Sequence, residues 1–418
     1  GTFDVDEVMM TVTGGAEPGS NGIPQAAPGD KSLVDIGSRR ELFVDDYLLD
    51  SLSGSATRRL QHPVRRAVAF RQDQPWEGPT SAYFTVLAVD GQVRIYYRGS
   101  GHEGAGYHET TCVVESSDGL HFTRPELGLY EWQGSRANNI CWLGEGTHNF
   151  TPFLDTNPAC PPDQRFKALA SVGPRAQLVA LASADGYRWR KLREEPVITK
   201  GAFDSQNIAF WDSYRGRYVE FHRDFRDGYR DIMTGTSQDF MTWTDPVWLD
   251  YGAAPREHLY TNQITPCPLA PHIFLGFPKR FVPGRRGGEH KYDGVSDGVF
   301  MTSRDGLTFR RWTKALIRPG LQPERWINRN NMTAWGVVTT ASDLQGAPDE
   351  LSIYSTEGYY AGSGARLRRF TMRMSGFVSV RAPMKGGEMT TKPLEATVML
   401  CNGLSCHQKT QRSIITAA

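Results

Sequence analysis

Five short stretches crowd carboxylates, amides, imidazoles and cations just ahead of apolar runs. They are Trp76-Glu77-Gly78, His148-Asn149, Asp204-Ser205-Gln206-Asn207, Glu257-His258-Leu259-Tyr260-Thr261-Asn262 and Asn328-Arg329-Asn330-Asn331. A second set, Arg98, His222-Arg223-Asp224, Lys279-Arg280 and Glu357, closes apolar runs downstream of four of the five. Two carboxylates brought to one place can protonate a leaving oxygen and activate water, which is the requirement of glycosidic hydrolysis. Amides and charged groups suit sugar hydroxyls, and faces such as Trp76 and Tyr260 suit sugar rings. On these grounds Asp204, with no cation beside it in sequence, is the first candidate for base or pKa-setting carboxylate. Glu257 is the candidate acid, and Glu77 and Asp224 are further carboxylates for the site. His148, Gln206, Asn207, His222, Arg223, Tyr260, Asn262, Lys279, Arg329 and Asn330 are expected to bind substrate, with Lys279 and Arg329 suited to a substrate carboxylate or sulfate.

Other readings of the same residues stay open. Asp224 lies between Arg223 and Arg226, where an ion pair explains it as well as catalysis does. His148 is either a satisfied core histidine or a contact to a ligand or a metal. An imidazole, His148 or His222, beside Arg223 also fits a lyase acting on uronate chains, and a silent carbohydrate-binding protein needs no acting carboxylates at all. No GxSxG, HExxH or Walker motif competes with these readings.

The elements that position these residues repeat along the chain. ESSDGLHF (115–122), ASADGYRW (182–189), TSQDFMTW (236–243), TSRDGLTF (302–309) and the degraded RMSGFVSV (373–380) share a small residue, then Asp-Gly or its substitute, then an aromatic. Asp-Gly between alternating apolar runs marks a tight turn, because glycine accepts positive φ and aspartate bonds back to the backbone. Ahead of each turn lie two strand-like runs, for example NIAFWD and RYVEFHRDF, and after it a short edge strand such as LGLYEW (127–132) or PVWLDY (246–251). Five such units predict an all-β chain folded as a five-bladed β-propeller of four-stranded antiparallel blades. The expected blades span about 77–132, 148–198, 204–251, 258–318 and 328–383 within a propeller of 41–387. ELFVDDYLLD (41–50) is available to close the ring. Residues 1–40 read as a flexible arm, with a Gly-, Pro- and Ala-rich stretch at 14–30, and 388–418 as an ill-ordered tail.

Lys and Arg number 47 against 46 Asp and Glu, and no basic block tracks a phosphate backbone, so nucleic acid is not an expected partner. No apolar run reaches the length of a membrane span, and GTFDVDEVMM lacks the pattern of a signal peptide. The expected partner is a carbohydrate substrate, which implies a secreted or periplasmic location; the oligomeric state is left open. Six cysteines are scattered without metal-ligand spacing. No cofactor is expected, and no spacing signals an axial calcium ion.

The motifs WEGPTSAYFTV, HNFTPFLDTNP, FDSQNIAFWD, EHLYTNQI, GFPKRF and SDGVFMTSRDG, together with the five-unit period, resemble bacterial proteins described as glycosyl hydrolase family 32 N-terminal-domain-like or family 43-like, common in polysaccharide-degrading planctomycetes. The resemblance spans about 41–385 and implies a five-bladed propeller glycosidase with acidic residues on successive blades. The family 32 Asn-Asp-Pro is missing, and Arg-Asp-Pro appears only as Arg223-Asp224-Phe225.

Overall fold

The computed structural model describes residues 33–101, 108–173, 176–286, 293–361, 364–384 and 386–396, and beyond these only strand backbone near the two termini. The Gly-, Pro- and Ala-rich stretch at 14–30 lies outside the described residues. The described chain is all-β, with only short 3-10 turns besides its strands, and none of its helices is long and apolar enough to cross a membrane. It divides into two units, 62–374 and the pair of segments 1–61 and 375–418.

The larger unit holds five four-stranded antiparallel sheets in chain order. Sheet I runs Ala82–Val89, Gln92–Gly101, His108–Ser116 and Ile140–Trp142. Sheet II runs Thr151–Leu154, Phe166–Val172, Gln177–Ser183 and Arg190–Lys191. Sheet III runs Ile208–Asp212, Arg217–Arg226, Tyr229–Ser237 and Val247–Trp248. Sheet IV runs Thr265–Cys267, Ala270–Gly276, Met301–Ser303 and Phe309–Arg311. Sheet V joins Val338–Thr340, Glu350–Glu357 and Arg366–Arg373 to Val64–Arg71, a strand that precedes sheet I. A three-stranded ladder of His258–Leu259, Lys279–Val282 and Val295–Gly298 accompanies sheet IV.

The middle strands are buried along almost their whole length, so both of their faces are covered. Tyr96, Phe150, Phe166 and Trp189 pack sheet I against sheet II. Phe153, Phe210, Phe221, Phe240, Phe274 and Phe309 join sheets II, III and IV. Phe70, Phe84, Tyr97 and Tyr354 join sheet V to sheet I. Burying one such ring is worth roughly 1.5–3 kcal/mol, so these aromatic seams contribute substantially to the attraction between sheets.

The repeated turns are built alike. Ser116 Oγ accepts from the Gly119 amide at 2.8 Å, while Asp118 Oδ1 accepts from the amides of Leu120 and His121 at 2.7 and 2.9 Å. Ser183 with Asp185, Ser237 with Asp239 and Ser303 with Asp305 repeat the pattern. Where three copies use glycine at positive φ, the fourth places Phe240 there at φ 67°.

Three expectations are corrected. The strand from before sheet I that pairs with the last sheet is Val64–Arg71 rather than 41–50. Glu41–Leu42 instead pairs with Glu7–Val8, and Phe43, Val44 and Leu48 are buried in the smaller unit. The fourth strand of sheet I is Ile140–Trp142, because Trp132 bridges back to Ser135 in a local turn and ends any strand through 127–132. The segment after 387 contains paired strands: Gly387–Thr391 lies against Leu49–Gly54, and Leu394–Cys401 against Val34–Gly37 and Cys406–Ser413. The alternation that buries Leu394 and Ala396 is the signal of order in that stretch.

Candidate functional site

Residues from sheets I and III, the ladder beside sheet IV and the approach to sheet V meet around one ring, that of Tyr260. Its hydroxyl lies 2.8 Å from that of Tyr83. Lys279 Nζ sits 4.1 Å from the ring centroid, and the guanidinium groups of Arg223, Arg329 and Arg230 stand at 5.5, 5.7 and 6.0 Å. Arg98 lies 4.8 Å over Tyr83 and donates to Tyr359 Oη at 3.1 Å, and Arg329 donates to the same oxygen at 3.0 Å. Cation–π contacts of this kind hold the charges in place without neutralising them.

The backbone around the cluster is strained. Tyr83, Gln263, Arg329, Asn331 and Tyr360 all have positive φ, a conformation that side chains other than glycine rarely adopt and that tends to gather at functional sites.

The charge balance is uneven. Lys279 is 1% exposed and donates to Asn328 Oδ1 at 3.0 Å, with no carboxylate among its described partners. Burial, reinforced by Arg329, Arg230 and Arg223, drives its ammonium well below the ordinary lysine range. Burial likewise lowers Arg223 and raises the Tyr83 phenol, the latter with help from Tyr260. An anion arriving here would relieve repulsion as well as gain hydrogen bonds.

Of the predicted carboxylates, Asp204 reaches this cluster. Its side chain is 65% exposed and is ion-paired with Arg223, which corrects the expectation of a carboxylate with no cation beside it. The partner was hidden because it comes from the neighbouring strand. Glu77 is buried and bonded to Tyr97 Oη and to Arg124 Nη2 at 2.8 Å. Glu257 is bonded to Arg280 at 2.8 Å and to Arg311. Both carboxylates are paired with arginines, Glu77 fully buried and the Glu257 side chain 24% exposed. Asp224 is half-buried and accepts from the adjacent Phe225 amide at 2.8 Å.

The predicted binding residues divide in two. His148, Arg223, Tyr260, Lys279 and Arg329 belong to the cluster. The amides are structural: Asn207 Nδ2 donates to the carbonyls of Phe203 and Ser205, Asn262 Nδ2 to Phe221 O, and Asn330 Nδ2 to Ile327 O and Tyr359 O. Gln206 is buried among Phe84 O, Thr85 Oγ1 and Gln263. His222, fully buried, is bonded through Nδ1 to Glu220 at 2.7 Å. These side chains already have partners within the protein.

The sequence reading missed Tyr83, Tyr359, Arg230 and Glu109. Glu109 opens the third strand of sheet I, in HETTCVVES, and its carboxylate lies 2.7 Å from His148 Nδ1. Among the described residues no three His, Cys, Asp or Glu side chains are grouped to hold a metal ion.

No protein-family model matches the chain, and no curated protein matches it. Solved structures similar to it include a glycoside hydrolase at 13% identity and TM-score 0.48, covering 74% of this chain and 92% of that one. An N-acetylgalactosamine deacetylase from F. plautii, in complex with blood group B trisaccharide, is similar at 13% identity and TM-score 0.49, with 78% and 95% covered. A glycosyl hydrolase from Bacteroides ovatus is similar at 14% identity and TM-score 0.45, with 74% and 94% covered.

Proposed function

We propose that the five sheets form a five-bladed propeller and that the chain is a carbohydrate-active enzyme cleaving the end of an anionic saccharide chain. The closure of sheet V by a strand from before sheet I supports the ring. The observation that carries the substrate class is Lys279, a buried amine surrounded by three guanidinium groups and tyrosine faces. Arg98, Arg223, Arg230, Lys279 and Arg329 supply charge for a carboxylate or sulfate, and Tyr83, Tyr260 and Tyr359 supply ring faces and hydroxyls. Asp204, paired with Arg223, suits a base or charge-setting role rather than proton donation. Hydrolysis by the carboxylate pair read from the sequence lacks its acid once Glu257 and Glu77 are spent on arginines.

The reading is tested with polygalacturonate and its fully methyl-esterified form, which differ in charge at the same chain. The acidic form should be bound and cleaved in preference, and Lys279→Met should abolish the preference. Equal handling of both forms by the wild type would contradict the assignment.

A further inference from the structure

The central hairpin of sheet III carries an exposed aromatic ring at the edge of the cation cluster. Arg226 pairs with Tyr229 across the two-residue turn Asp227-Gly228, whose φ angles are 52° and 80°. Two positive φ angles give a tight turn whose twist matches the strands it joins, so the hairpin end is rigid. Phe225 and Arg230 are direct partners across this hairpin, and Arg223 precedes Phe225 by two residues on the same face.

Phe225 is 51% exposed. Single exposed aromatics are ordinary on a protein surface, but this one is joined to the site. The Arg223 guanidinium lies 4.9 Å from the Phe225 ring centroid and 5.5 Å from that of Tyr260. The Arg230 guanidinium stands 5.5 Å from Phe225, 6.0 Å from Tyr260 and 5.6 Å from Phe281. Among the described residues the Arg230 side chain has no hydrogen-bond or ion-pair partner. Three rings hold this guanidinium, and its donors are left for oxygens from outside.

Resting on the anionic-saccharide reading above, we propose that Phe225 and Arg230 form a second subsite, which takes the sugar residue next to the charged one held by Arg223, Lys279 and Arg329. The C–H face of that second residue lies on the Phe225 ring, and its hydroxyl or carboxylate oxygens accept from Arg230. The ligand recognised is then an acidic oligosaccharide rather than an acidic monosaccharide. Because the platform sits on a rigid hairpin, little ordering opposes the gain from the second residue.

The test compares galacturonate with a thio-linked digalacturonate, whose sulfur bridge resists cleavage, by calorimetric titration of the full chain. The wild type should bind the dimer about 10-fold more tightly than the monomer, the scale of covering one aromatic ring. Phe225→Ala should erase that ratio, and Phe225→Tyr should keep it. Equal affinity of the wild type for the two acids would overturn the second subsite while leaving the anionic-substrate reading intact. A ratio that survives in Phe225→Ala would overturn it too, since the ring would then serve only to hold Arg223. Failure of the wild type to bind either acid would overturn both readings. The ratio is read first on the wild type, so the result does not depend on a variant folding.

Discussion

Two places in the larger unit gather four cations each, and they are finished differently. Arg65, Arg325, Arg366 and Arg368 surround Glu357, a fully buried carboxylate, at 3.2, 3.4, 3.2 and 2.7 Å. Arg223, Arg230, Lys279 and Arg329 surround the ring of Tyr260. In the first, the guanidinium groups hold the Glu357 carboxyl below its usual range even though burial pushes the other way. In the second, burial and then the guanidinium groups of Arg329, Arg230 and Arg223 push the Lys279 ammonium well below its usual range. The first cluster closes on its own carboxylate; in the second Asp204 pairs with Arg223 while Lys279 has no carboxylate among its described partners, which suits that amine to a counter-ion from outside.

The largest expected effect breaks the closed cluster. Glu357→Gln leaves four buried or half-buried arginines without their carboxylate and should cost about 3–5 kcal/mol, read as a lowered denaturant midpoint. Lys279→Met should do the opposite to stability. It removes a buried cation with no carboxylate partner in favour of an apolar chain of similar length, so the midpoint should stay or rise. If Lys279→Met destabilises as much as Glu357→Gln, the two clusters are alike and the contrast fails.

How much of this was legible in the sequence follows from the range of each interaction. The Ser-x-Asp-Gly turns could be read because every bond in them spans two or three residues. The order of the sheets followed from their repetition. The strand that completes sheet V could not be read, since 41–50 and 64–71 both carry apolar residues and the choice rests on a partner about 300 residues away. For the site, Tyr260, Lys279, Arg223, Arg329, His148 and Asp204 were legible from their places at strand ends. The fates of Glu257 and Glu77 were not, because their arginines come from distant strands. Asn207, Asn262 and Asn330 misled for another reason. An amide suited to a sugar hydroxyl is equally suited to a backbone carbonyl, and only the fold decides between them.

A smaller effect sharpens the comparison by showing a carboxylate satisfied without any cation cluster. The Asp239 carboxyl is held below its ordinary range by the amides of Thr242 and Met241, against the opposing influence of burial. Its contribution is therefore full above the unfolded carboxylate pKa and is lost as pH falls through the lowered folded value. Asp239→Asn should cost about 1 kcal/mol or less at neutral pH and should flatten the acid limb of the stability curve. An unchanged acid limb would show that the turn bonds do not favour the charged form.

The open cluster is tested most directly by the protons that move when its anion binds. An incoming carboxylate favours the charged form of Lys279, so binding should draw a proton from solution and affinity should fall as pH rises. Calorimetric titration of the full chain with oligogalacturonate, in two buffers of different ionisation enthalpy, measures that uptake. The account predicts proton uptake by the wild type, none by Lys279→Met, and no binding of the methyl-esterified oligomer. Binding of acid and ester alike with no proton exchanged would contradict it.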